Sequence, residues 1–160
     1  SRKWHRDMWD ALAEVNFRLF KKVLRKHRPR IALLNVTTTD IAHGAHWAKY
    51  IAALRRSDEM TRDIWEFIRT DPHYKDNTYL FVTPDHERNR YFMQHTEDTF
   101  ADSSHVWAYV YGPHIDSGRV ISRRTHHIDI CSTAARILDL EAEFSHGTVL
   151  HEVFERRHTP

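Results

Sequence analysis

Two short apolar runs, Ile31-Ala32-Leu33-Leu34-Asn35-Val36 and Thr78-Tyr79-Leu80-Phe81-Val82-Thr83, bracket a long segment of helical character. Within that segment Trp47, Tyr50, Ile51, Leu54, Met60, Ile64, Trp65 and Ile68 recur at the spacing of one helix face. Continuous apolar runs of this length are expected of strands buried on both faces. Strand, helix, strand in that order implies a right-handed crossover between parallel neighbours. A third run, Val106-Trp107-Ala108-Tyr109-Val110-Tyr111, stops at Gly112-Pro113. The expected fold class is α/β, a mostly parallel sheet with helices on both faces, formed by residues 1–160 as a single domain.

The flanks agree with this reading. Met8, Leu12, Val15, Leu19 and Val23 recur at three and four, with Trp9, Phe20 and Leu24 widening the stripe, so a helix is expected from Trp4 to His27. Lys21, Lys22, Arg25, Lys26 and His27 suit its C-terminus, and Pro29 stops it. Trp47–Ile68 makes a helix on the order of 30 Å long, enough to cross a sheet. Near the other end a last helix begins around Ile128-Asp129-Ile130, and Thr133 to Leu140 has the spacing of a short packed helix. The residues from Glu152 onward are charged and expected to be exposed. Glu87 to Ser104 have no sustained period and are expected to form a long loop, usually a functional feature in compact domains.

Charge and cysteine content narrow the function. A formal net charge of +2, with Lys and Arg spread along the chain, argues against a dedicated nucleic-acid binder. No apolar run approaches a membrane span. The single cysteine, Cys131, forms no internal disulfide and leaves the compartment open. Ser1-Arg2-Lys3-Trp4 leads straight into a helical pattern with neither initiator Met nor signal-type apolar region. The chain is therefore expected to begin inside a longer protein. Its compositional excess is histidine, 14 residues, most of them expected to be solvated surface groups.

The histidines that differ in kind stand beside carboxylates where apolar runs stop. Asp40-Ile41-Ala42-His43 follows the first run and Asp85-His86 follows the second, with His95 a few residues on. In open parallel sheets, ligands bind outside the carboxyl ends of the strands. Carboxylates and imidazoles gathered there repel or protonate unless a cation lies between them. Oxygen and imidazole donors of this kind suit zinc or manganese, and two such ions could clamp an ester undergoing in-line displacement. The same carboxylates also serve as caps of turns or helices in many proteins.

This ordered set, Asp40…His43, Thr83-Pro84-Asp85-His86, then His95 ahead of the run ending Gly112-Pro113, resembles the alkaline phosphatase superfamily, which includes sulfatases, nucleotide phosphodiesterases and cofactor-independent phosphoglycerate mutases. The resemblance runs from about Arg30 to the C-terminus. It includes Ile128-Asp129-Ile130-Cys131-Ser132-Thr133-Ala134, similar to the helix start after the last core strand of sulfatase-like members. It implies a partial alkaline phosphatase-like core, in which Asp85 and His86 bind one metal while Asp40, His43 and His95 bind a second. His46 is the alternative to His43, and His105 the alternative to His95. Arg88 and Arg90, with Tyr91, are placed to grip a small anionic ester, for which arginine has the matching geometry.

The pattern departs from the family in three places. The first Asp–His spacing is three or six rather than four, Glu87 stands where glycine often follows Asp-His, and the family's N-terminal aspartate ligand and nucleophile lie upstream of the region resembled. Thr37, Thr38 and Thr39 are a poor substitute, because threonines ending a strand more often satisfy backbone groups. The resemblance thus implies the C-terminal portion of a metal-dependent hydrolase of phosphate or sulfate esters, completed by a missing N-terminal segment or a second chain. The competing reading is a noncatalytic α/β domain that binds metal or a partner.

Overall fold

The computed structural model describes residues 2–42, 46–87, 105–115 and 118–154, with the side chains of 2–7 and 9 left aside. Two compact units emerge, one comprising Ser1–Lys75 and Thr83–Trp107, the other Asp76–Val82 and Ala108–Pro160.

The first unit is helical. Helix α1 (Arg2–His27) forms where the periodicity predicts it. It stops as Arg28 turns left-handed, φ 47°, just before Pro29. Helix α2 is a single turn, Thr38–Ile41. Helix α3 (Trp47–Thr70) extends the predicted Trp47–Ile68 by two residues. Asp71 accepts the Tyr74 and Lys75 amides on its carbonyl and the His73 amide on its carboxylate, so the chain turns around Pro72 without losing its donors. The core is built from one face of each long helix: Ala13, Phe17 and Leu24 from α1, Met60, Ile64 and Ile68 from α3. Tyr74 closes it, its ring buried and its hydroxyl donating to the Leu24 carbonyl at 2.8 Å. Polar ties flank this seam. Arg56 grips Glu14 through two nitrogens, the outer bond at 2.7 Å, and Lys21 meets Asp63 at 3.2 Å.

The second unit contains strands β1 (Leu80–Val82) and β2 (Tyr109–Tyr111), helix α4 (His127–Ile137) and a 3-10 turn at His151–Val153. The strands pair antiparallel, Leu80 opposite Tyr111, Phe81 opposite Val110 and Val82 opposite Tyr109. Helix α4 starts at His127, ahead of the apolar spacing at Thr133 to Leu140, because Asp129 caps it: its buried carboxylate accepts the His126 amide at 2.8 Å. The predicted exposed tail begins inside a packed turn instead, since Val153 is buried and Phe154 bridges to Ile115.

This architecture corrects the expected fold class. Among the described residues the only sheet is one antiparallel pair, and no mostly parallel, alkaline phosphatase-like sheet forms. Ile31–Val36 lies outside any strand, with Ile31 70% and Leu33 91% exposed. Of the third run only Tyr109–Tyr111 is strand. An apolar run records a demand for burial, whereas a strand also needs a neighbour whose backbone groups match its own. Periodicity inside one run says nothing about that neighbour. The predicted loop Glu87–Ser104 lies outside the described residues beyond Glu87.

Candidate metal centre

Asp85 and His86 follow β1 through Thr83-Pro84. Thr83 anchors the exit by donating its hydroxyl to the Trp107 carbonyl at 2.8 Å. The local geometry at His86 is informative. Its Nδ1 lies 3.1 Å from the Glu87 carbonyl. A carbonyl only accepts, so Nδ1 carries the proton in this bond. The ring's Nε2 lies 3.7 Å from Asp85 Oδ2. Two donor atoms on a tetrahedral zinc ion, each about 2.0–2.2 Å from it, stand about 3.4 Å apart. The pair is thus close to the spacing of one edge of a coordination shell, and its imidazole is oriented by a backbone carbonyl as metal-bound histidines commonly are. The Asp85 carboxylate is 88% exposed and also accepts the His86 amide at 3.0 Å, through Oδ1, which leaves Oδ2 toward the ring.

Asp40 sits in the single turn α2, and its side chain is exposed. Thr38, in the same turn, is buried, and its hydroxyl meets Ser57 Oγ at 2.9 Å. Ser57 donates to the Ala53 carbonyl at 3.1 Å, so Thr38 supplies the proton between the two hydroxyls. Thr38 is therefore a fastening of α2 to α3, not an available nucleophile. The remaining expected residues divide simply. His43, His95, Arg88, Arg90 and Tyr91 lie outside the described residues. His46 precedes α3, where its carbonyl accepts the Lys49 and Tyr50 amides, and His105 is exposed. Among the described residues no three histidine, cysteine or carboxylate side chains converge on one point. The structure brings Asp85 and His86 together and places Asp40 on a separate element.

Sequence reasoning missed a second polar feature. A cleft of about 450 Å³ is lined by Asp10 and Glu14 of α1, Thr38 beside it, and Lys49 and Arg56 of α3. The signal was present as two helical repeats, acids four apart on one helix and bases seven apart on the other. Arg56 holds the Glu14 carboxyl below its ordinary range, so this wall is an ion pair across the helix seam. In the second unit, the carboxyl of Glu152 is pulled down to about 2 by the Arg123 guanidinium. Compared with models of known families, with curated proteins and with solved structures, the chain matches none.

Proposed function

We propose that this chain is the metal-binding portion of a metal-dependent hydrolase acting on small phosphate or sulfate esters, its nucleophile supplied by a preceding segment or a second chain. One observation carries the reading: the His86 imidazole, oriented through Nδ1, brings Nε2 to 3.7 Å from Oδ2 of Asp85. An imidazole nitrogen and a carboxylate oxygen at that separation are ligands that one divalent cation takes together. Asp85 and His86 would hold one divalent ion, zinc or manganese, and Asp40 with His43 and His95 would hold a second. Bound there, such an ion supplies Lewis-acid polarisation of the ester oxygen and a lowered pKa for the attacking group. The chain's own residues orient and neutralise: the Glu87 carbonyl fixes the ring of His86, the His86 amide fixes the carboxylate of Asp85, and Arg88 and Arg90 would hold the ester's anionic oxygens.

The test is elemental analysis of the purified chain after loading with zinc or manganese and desalting. Near-stoichiometric metal is expected, and D85A and H86A should each lose it. A metal-free wild-type chain would sink the proposal. Hydrolysis of generic phosphate or sulfate esters by the loaded chain together with added upstream polypeptide separates the hydrolase from a noncatalytic metal-binding domain.

A further inference from the structure

Helix α1 is apolar on two sides. Ala13, Phe17 and Leu24 are buried in the core of the first unit, whereas Met8, Leu12, Val15, Leu19 and Val23 are between 37% and 56% exposed. At 3.6 residues per turn the second set falls on one line along the outer side of the helix, roughly 22 Å from Met8 to Val23. Single apolar residues on a surface are ordinary, but a continuous line of five marks a face that something covers. Charge on the same helix says what that is. From Val15 to His27 the cations are Arg18, Lys21, Lys22, Arg25 and Lys26, and there is no Asp or Glu. Lys21 is taken by Asp63, and Arg25 lies over the Phe67 ring. Lys22 and Lys26 are exposed and make no ion pair or hydrogen bond among the described residues. They stand three residues after Leu19 and Val23, which puts both at the C-terminal end of the apolar line. The occupant is therefore apolar and anionic.

A second copy fits these demands badly. The acids of α1 with described side chains, Asp10 and Glu14, line the cleft on another side of the helix, so a second α1 laid along this line brings Lys22 and Lys26 no counter-charge among the described residues. A protein pocket fits little better, because Leu and Val are scarce among the residues that anchor protein partners and the line holds no aromatic ring. An aliphatic line with lysines at its rim suits a helix lying in the plane of a bilayer, its alkyl groups among the acyl chains and its ammonium groups at anionic headgroups. Lysine's four-carbon stem allows both at once. We propose that the outer face of α1, from Met8 to Lys26, docks in the plane of an anionic lipid bilayer surface.

The experiment is co-sedimentation of the full chain with vesicles of phosphatidylcholine and phosphatidylglycerol, and with vesicles of phosphatidylcholine alone, at low and high salt. The chain should sediment with the anionic vesicles, less so as salt rises, and should stay in solution with the neutral ones. L19S trims an exposed side chain, so the circular dichroism spectrum should be unchanged while partitioning falls about tenfold. K22E/K26E should lower it at least about thirtyfold, at about fivefold for each lysine lost from an anionic surface. L33S and K75E, at exposed apolar and cationic positions off this face, should leave it unchanged. Binding to neutral vesicles as strong as to anionic ones, binding that K75E weakens as much as K22E/K26E, or binding that L19S leaves intact would overturn the proposal. So would a chain that stays off the anionic vesicles, which would leave an acidic protein as the partner of this face.

Discussion

Asp129 shows how one carboxylate can organise a neighbourhood. It is 4% exposed and accepts two backbone amides at 2.8 Å, those of Thr148 and His126. The Thr148 amide first, then the His126 amide, hold its carboxyl below the ordinary aspartate range. Thr133, fully buried, donates to the Asp129 carbonyl at 2.6 Å and accepts the Leu150 amide at 3.0 Å. Gly147 completes the contact, because a Cβ there would lie 2.2 Å from the Ile128 carbonyl oxygen. Asp129→Asn is therefore expected to destabilise the fold by about 1–3 kcal/mol, read by urea denaturation near neutral pH. The sign of the pH dependence follows from the lowered folded pKa. Protonation is favoured in the unfolded chain, so the stabilisation is present above the unfolded value, about 3.9, and is lost as pH falls through the folded one. The difference between wild type and D129N should shrink over that acid range, and a constant difference would contradict the assignment. The motif Ile128-Asp129-Ile130 marked a helix start in the sequence. Nothing in it showed that Thr148, 19 residues on, would supply the first amide.

At the scale of elements, the helices and the apolar runs behaved differently. Met60 lies 1% exposed in the core that α1 and α3 share, whereas Leu33 is 91% exposed in the run that joins α1 to α2. Met60→Ala is expected to cost about 2–5 kcal/mol, and Leu33→Ala within about 0.5 kcal/mol of zero. Parallel chemical denaturation of the two variants checks the contrast. Equal losses would mean that Leu33 is packed in solution. Helix boundaries were legible because the signals for them are local: Pro29 after a basic last turn, Asp71-Pro72 after α3, alternating three and four spacing between. The pairing of Leu80–Val82 with Tyr109–Tyr111 had no such local signal, and their antiparallel sense overturned the crossover that strand, helix, strand suggested.

For the whole molecule, the proposed site makes a thermodynamic statement that requires no turnover. A cation held by Asp85 and His86 in the native chain, and not in the unfolded one, adds stability by mass action, about 2.7 kcal/mol at a free concentration a hundredfold above Kd. Zinc should therefore raise the midpoint of thermal unfolding for wild type, and D85A should show a much smaller rise. An equal rise in both would assign the stabilisation to other groups. Of the site itself, the pairing of Asp85 with His86 was legible as adjacency after an apolar run. The orientation of the ring by the Glu87 carbonyl was not, since a backbone acceptor leaves no mark on residue identity.

Residue order by itself determined where the two long helices run and stop, and that Asp85 and His86 lie side by side after an apolar run, because each of these depends on groups within a few residues of one another. Tertiary structure alone decided which apolar run found a strand partner, that Asp129 reached Thr148, and that Thr38 was spent fastening α2 to α3. Helices close their hydrogen bonds four residues away, whereas strands and buried carboxylates depend on groups brought from far along the chain, and no local pattern names them.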